Sequence, residues 1–359
     1  MKSIPTLLES DRVMVLAPHP DDETLGAGIA LQQAHAAGAA VQVVFATAGE
    51  ANPWPQRWIE RRWHLDTNDR KRWGARRSDE ARAALSRLGL PEVTAAFMGW
   101  PDGGILPLLM DDGDRLIAQL ASLLASFRPT RVILPSIRDH HPDHSALNML
   151  ARAALLGLGE LRNPLLLEFL LHARRSERSA QEWRQSASDD APATKLAALE
   201  AHKTQLRLNR GWLVRRARAP EAFGLTTLGS PEIADGISRA AAIARVPADA
   251  GRTLLQLDAN HPAAQRSRLG VLLAGISPGH VDLWRCAIAR NPANRDPAGI
   301  TLVDCANGAS LGAVDYSREG PRVLLTLPRE MPGLLRYARF ERPRRRLQVI
   351  DRDVWETLL

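Results

Sequence analysis

Two apolar runs on either side of a helix-forming stretch restrict the fold of this 359-residue chain more than any other feature. Val13-Met14-Val15-Leu16 reads as a short strand buried on both faces. Residues 25–37, rich in Ala, Leu and Gln and closed by Gly38, read as a helix, and 41–47 as a second buried strand. Strand, helix and strand at this spacing form a βαβ unit, whose strands run parallel and end on the same sheet edge. The loop Pro18-His19-Pro20-Asp21-Asp22-Glu23 and the loop that ends at Glu50 therefore share one rim.

One imidazole and three carboxylates stand at the carboxyl end of the first strand, where open α/β sheets bind their ligands. A bland alternative exists: Asp22 or Thr24 merely caps a helix starting near Thr24, with His19 and Asp21 solvated. The rest of the chain decides between the two. A helix is predicted over 77–88, a strand over 93–100 that runs into Pro101-Asp102-Gly103-Gly104, and a helix over 114–127. A fourth buried strand, 131–136, leads into Asp139-His140-His141-Pro142-Asp143-His144, followed by a helix over 145–155 and a strand over 165–171. This alternation predicts a Rossmann-like α/β fold, a mostly parallel sheet with helices on both faces. A second His/Asp cluster at an equivalent strand end makes a functional site the better reading.

The chemistry follows from the residue types. A mononuclear catalytic zinc site takes three nitrogen or oxygen ligands and keeps one position open for water. His19, Asp22 and His144 supply such a set, and another divalent metal such as Fe2+ suits the same ligands. Asp21, a neighbouring carboxylate outside the set, is a natural general base, and His141 a candidate electrophile or acid on the far side of a scissile carbonyl. His140 reads as structural or solvated.

Between 51 and 76 the periodicity fails, and Trp54, Trp58, Trp63 and Trp73 alternate with arginines and a lysine. The stretch reads as a long loop, either a lid packed on its own domain or a surface for sugar faces and anionic groups. Residues 193–208 read as a helix containing Lys195 and His202-Lys203-Thr204-Gln205. Past about residue 230 the pattern changes. Residues 231–276 look mostly helical, 299–327 show short apolar runs between turns, and the basic patch Arg342, Arg344, Arg345 and Arg346 precedes a possible strand at 347–350. The expected division is a domain at 1–228 and a smaller C-terminal α+β region at 229–359.

Composition adds limits. No run approaches the roughly 18 apolar residues of a spanning helix, no leader pattern follows Lys2, and two cysteines make no disulfide framework, so a soluble cytoplasmic protein is expected. The net charge of +7 suits an anionic partner or reflects an arginine-rich genome. The arginines are scattered without a nucleic-acid motif, which argues against nucleic acid; the sequence leaves oligomerisation open.

The chain also resembles the zinc-dependent sugar N-deacetylases that include phosphatidylinositol-N-acetylglucosamine deacetylases and the deacetylases of mycothiol and bacillithiol synthesis. The resemblance rests on Pro18-His19-Pro20-Asp21-Asp22-Glu23, Arg77-x-x-Glu80 with Leu88-Gly89, Pro101-Asp102-Gly103, His141-Pro142-Asp143-His144, and Lys195 with residues 202–205. It implies an N-acetylated amino sugar or glycoconjugate as substrate, zinc on His19, Asp22 and His144, Asp21 as base, and His141 as stabiliser of the tetrahedral intermediate. It further implies that Arg77, Asp102 and Glu50 hold substrate hydroxyls, although Arg77 and Glu80 also fit an ordinary helix ion pair and Asp102 an ordinary turn. The alternatives are deacylation of another glycolipid or antibiotic amide, and a glycan-binding module on a deacetylase fold.

Overall fold

The computed structural model describes residues 2–90, 94–159, 163–174, 177–178, 181–185, 188–226, 228, 243–246, 253–258, 260–261, 269–290, 297–319, 322–328, 335–341 and 354–358. The chain divides into two units, one of 1–106, 122–148 and 160–228, the other of 107–121, 149–159 and 229–359.

The first unit holds an eight-stranded sheet. In chain order the elements up to residue 226 are β1 (Lys2–Ser3), β2 (Arg12–Ala17), α1 (Asp22–Ala36), β3 (Ala40–Thr47), α2 (Pro53–Glu60), α3 (Thr67–Arg87) and β4 (Thr94–Trp100). There follow α4 (Ile105–Phe127), β5 (Arg131–Pro135), α5 (Pro142–Gly157), β6 (Leu165–Phe169), β7 (Trp183–Arg184), α6 (Ala191–Leu199), α7 (Lys203–Ala217) and β8 (Ala222–Thr226). Strand order is β1-β7-β8-β6-β5-β2-β3-β4, with β6, β5, β2, β3 and β4 parallel and β8 antiparallel to β6. The chain winds outward from β2 through β3 to β4, then returns to β5 on the other side. The β2/β5 boundary is thus the topological switch point, where the loops after the two strands part and leave a crevice.

Val13, Val15 and Ala17 pack with Leu25, Ala27 and Leu31 of α1, Ala81 and Leu85 of α3, and Leu199 and Leu213 of α6 and α7. Their neighbours Met14 and Leu16 are equally buried, so β2 is covered on both faces and carries no polar alternation. Helix α1 approaches β6 so closely that a Cβ on Gly26 would lie 2.7 Å from the Phe169 ring, which only glycine relieves.

Several boundaries differ from expectation. The stretch 51–76 is not one loop: α2 starts on Asn52, whose side chain accepts from Trp54 N, and α3 starts on Asp66, which forms a reciprocal capping box with Asp69. Over its first turns α3 buries Asp69, Trp73 and Gly74 instead of a regular apolar stripe, which hides that part from a periodicity search, while its second half is the helix expected over 77–88. Trp54, Trp58 and Trp63 remain 41%, 62% and 69% exposed. Helix α4 begins at Ile105, well before the expected 114, because helical turns continue on both sides of Asp112, whose φ of −153° breaks the run. The helix expected over 193–208 is two, split at residues 200–202.

In the second unit, the described residues beyond 228 form antiparallel strands where 231–276 was expected to be mostly helical. They are β9 (Ile243–Val246), β10 (Leu254–Asp258), β11 (Leu269–Ser277), β12 (His280–Arg290), β13 (Pro297–Asp304), β14 (Ser310–Ala313), β15 (Asp315–Glu319), β16 (Arg322–Thr326), β17 (Leu335–Glu341) and β18 (Glu356–Thr357). Two sheets, β15-β16-β10-β9 and β14-β13-β12-β11-β17-β18, share a core that includes Leu255, Leu257, Leu325, Val271, Leu273, Trp284 and Leu302. Short apolar runs here alternate with the period of a strand, and Ala-rich composition mimicked helix. The basic patch at 342–346 and the strand expected at 347–350 lie outside the described residues.

A buried ion pair locks the first unit. Lys195 Nζ donates to Glu221 Oε1 at 2.6 Å and to Leu25 O at 2.9 Å, while Glu221 accepts from Ile29 N at 2.7 Å and Ala30 N at 3.0 Å. Lys195→Ala strands a buried carboxylate and is expected to cost about 3–5 kcal/mol. Denaturant unfolding checks this, with the Lys195→Met/Glu221→Gln double variant expected to lose less than Lys195→Ala.

Candidate active site

His19 leaves β2 at the switch point, and Pro18 and Pro20 on either side of it stiffen the turn into α1. Asp21 is the residue before the helix, with φ 122° and ψ −24°. Side chains other than glycine rarely adopt such a backbone, and holding it costs roughly 1–3 kcal/mol. The turn therefore stands only because its surroundings over-determine it. Asp21 N–H donates to Glu23 Oε2 at 2.9 Å, and Arg77 Nη2 donates to Pro20 O at 2.6 Å. Arg77 Nη1 donates to Gly49 O at 2.7 Å, so one guanidinium ties the loops after β2 and β3 together. Gly49, at φ 68°, has no alternative: a Cβ there would lie 2.0 Å from Arg77 Nη1.

The second cluster enters from β5. Asp22 Oδ2 lies 3.1 Å from His19 Nδ1 and 3.2 Å from His144 Nε2, and these three residues offer ligand atoms within 4.8 Å of one another. Both ring nitrogens of His144 are buried and make no hydrogen bond in spite of the nearby carboxylates. A buried imidazole nitrogen that stands unsatisfied beside a carboxylate is what a cation between them would leave. The donor set, two imidazoles and a carboxylate, fits a divalent metal of zinc type.

Further carboxylates stand behind these imidazoles. Asp139 Oδ2 accepts from Leu171 N and His172 N and lies 3.4 Å from His144 Nδ1, while its Oδ1 accepts from His141 N at 2.9 Å. Asp143 accepts from Gly103 N and Ile105 N and reaches within 3.3 Å of His19 Nε2. A partner of this kind fixes which imidazole nitrogen faces the metal. Sequence reasoning assigned no role to Asp139, Asp143 or His172. All three lie at the carboxyl ends of β5 and β6, and that position was the available signal.

Burial sets the electrostatics. It raises Asp21 to about 7, against the lowering pull of Arg77, whose Nη2 lies 3.7 Å from Asp21 Oδ2; the charge of Asp22 adds to the rise. A carboxylate poised there suits a general base. Burial likewise drives His141 well below the ordinary histidine value, helped by repulsion from His19 and His144. Asp143 N–H donates to His141 Nδ1 at 3.2 Å, so the neutral ring carries its proton on Nε2. His141 is thereby set as a donor. Its ring lies 4.7 Å from that of His19 and 5.0 Å from that of His144.

The three residues expected at substrate hydroxyls all reach this rim. Asp102 Oδ2 accepts from Ala51 N at 2.7 Å and its Oδ1 lies 3.2 Å from His19 Nε2, so both oxygens are engaged. Glu50 Oε1 accepts from Asp102 N at 3.0 Å, whereas its Oε2 is buried without a hydrogen bond. Arg77 spends both terminal nitrogens on backbone carbonyls. His140 is buried, with Nε2 3.1 Å from Glu177 Oε2.

Residues 14–155 match the family described as PIG-L: GlcNAc-PI de-N-acetylase. A 1D-myo-inositol 2-acetamido-2-deoxy-alpha-D-glucopyranoside deacetylase of Mycolicibacterium vanbaalenii is 28% identical over 241 residues, 55% of this chain and 82% of that protein. The protein of the same name from Corynebacterium glutamicum is 28% identical over 233 residues, 58% of this chain and 79% of its own length. Among solved structures, N,N'-diacetylchitobiose deacetylase from Pyrococcus horikoshii aligns with a TM-score of 0.48 at 18% identity, over 60% of this chain and 84% of that one. The matched segment carries both clusters, His19-Pro20-Asp21-Asp22 and His141-Pro142-Asp143-His144, so the similarity to this family falls on the residues that build the site.

Proposed function

We propose that this chain is a zinc-dependent hydrolase that removes the N-acetyl group from an N-acetylated amino sugar or its glycoconjugate. The observation that carries the reading is the convergence of His19, Asp22 and His144 at the switch point, with Asp21 and His141 flanking them. The proposed catalytic domain is 1–228, acting in the cytoplasm; free Cys286 and Cys305 are in keeping with a reducing compartment. Residues 229–359 form the second proposed domain.

His19, Asp22 and His144 would hold the metal, which when bound polarises the amide carbonyl and acidifies water. Asp21 takes the proton of the attacking water on a carboxylate oxygen and returns it to the leaving nitrogen, two transfers for which a pKa near 7 is well matched. His141 donates from Nε2 to the oxyanion of the tetrahedral intermediate, and as a neutral ring it does so without adding a buried charge. Asp139 and Asp143 keep His144 and His19 in their orientations. Glu50 Oε2, the unpaired acceptor on the rim, takes a sugar hydroxyl, with Asp102 and Arg77 completing that wall. Acetate and a free amine result.

Three measurements test this. Purified protein loaded with zinc and dialysed is expected to retain one zinc per chain by elemental analysis; His144→Ala loses it and Asp21→Ala keeps it. Equal zinc in both variants overturns the ligand set. Acetate release is expected from N-acetylated amino sugars screened free and as conjugates, and stoichiometric zinc without release from any of them would favour a glycan-binding module. Asp21→Ala should lower kcat by about 10²–10⁴-fold, and His141→Ala by about 10²–10³-fold, each against an unchanged zinc content.

A further inference from the structure

The stretch His202-Lys203-Thr204-Gln205 takes no part in the chemistry above, yet it backs directly onto the acid loop. His202 is buried at the start of α7, and its imidazole does not cap its own helix. Its Nε2 instead lies 3.0 Å from Glu23 Oε1, where Thr24 Oγ1 also donates at 2.7 Å. The second oxygen of Glu23 is the acceptor for Asp21 N–H. Two residues on, Thr204 donates from N to both Glu80 oxygens at 3.1 Å and from Oγ1 to Oε2 at 2.6 Å. Glu80 therefore caps α7 from outside, and it sits one turn beyond Arg77 on α3. Arg77 in turn holds Pro20 O and Gly49 O.

We infer that residues 202–204 form a two-armed bracket that sets the position of Asp21, with His202 a positioning residue through Glu23, and Thr204 through Glu80 and Arg77. This rests on the reading of Asp21 as the base. The physical ground is the backbone of that residue. At φ 122° the Asp21 peptide does not hold itself, and the two groups that fix its rotation are its own N–H and the carbonyl of Pro20. Glu23 takes the first and Arg77 the second. Glu23 is itself buried and short of freedom only while His202 and Thr24 hold its other oxygen. Release of either arm lets the peptide relax toward ordinary φ, and the Asp21 carboxylate swings away from where the attacking water stands. Neither His202 nor Thr204 contributes a metal ligand, so metal binding is untouched.

The test uses the full chain with zinc bound, and the N-acetylated amino sugar that wild-type protein turns over fastest in the acetate-release screen. His202→Ala is expected to lower kcat about 10–100-fold with KM within about twofold and zinc still at one per chain. His202→Gln, which keeps a donor at similar reach, is expected to recover most of the loss. Thr204→Val keeps the backbone donor and loses only Oγ1, so its kcat falls by less, again with KM and zinc unchanged. Should His202→Ala not fold, His202→Asn, which draws its donor back from Glu23, carries the same expectation of lowered kcat. An unchanged kcat in His202→Ala, a kcat loss that tracks zinc loss, or a His202→Gln variant as slow as His202→Ala overturns the bracket. A wild-type protein that releases no acetate from any sugar fails the functional reading instead, so the two failures are told apart.

Discussion

The Asp22 carboxylate, placed between His19 and His144, is the contact on which the rest of the site depends. It exists because β2 and β5, far apart in the chain, are hydrogen-bonded parallel neighbours whose registers match Val13 with Arg131 and Val15 with Ile133. One residue of slip would turn every side chain of a strand to the opposite face and shift where its following loop begins. The register is tied at the start of the pair, where Arg12 N donates to Thr130 Oγ1 at 3.0 Å and Thr130 N to Arg12 O at 2.9 Å. The pairing of β2 with β5 thus sets the separation of the two loops, and that separation brings Asp22 beside both histidines.

Gathering so many ionisable groups in one buried crevice is costly, and the loops offset the cost with backbone donors. Asp139 and Asp143 each accept two or more N–H groups from loops that leave different strands, and Asp102 accepts from Ala51. Each carboxylate is therefore both a charge partner for a histidine and a tie between loops. Asp21 is the exception, with Arg77 as a distant cation rather than a close one, and its pKa is correspondingly high. The same burial that deprives Asp21 of solvent also keeps His141 neutral. The carboxyl of Asp21 is pushed up and the imidazole of His141 down by one desolvated environment.

Much of this was legible in the residues. Apolar runs ending in His/Asp clusters identify strand ends on one rim, because a parallel βαβ unit leaves no other arrangement. The helix at 53–60 and the first turns of the helix at 67–87 escaped because they bury Pro55, Gln56, Asp69, Trp73 and Gly74, a set that no apolar periodicity captures, whereas the second half of the longer helix was legible as 77–88. The strands between 243 and 277 were missed for a related reason: short runs of Leu, Ala and Ile suit either element, and only cross-strand pairing, as of Leu273 with Trp284, selects one. Residues 202–205 were visible as a pattern without a purpose, since their partners Glu23 and Glu80 lie far away in the chain.

Residue type and local spacing determined by themselves the sheet class and the two His/Asp turns on one rim, since strand period and side-chain chemistry are properties of short segments. Tertiary structure alone decided the protonation states and the supports. How far Asp21 is desolvated, which nitrogen of His141 holds the proton, and what pins an aspartate at positive φ all depend on groups that meet only when distant segments pack. Burial and long-range hydrogen bonding have no local signature, because they are set by what lies opposite a residue and not by what stands beside it in the chain.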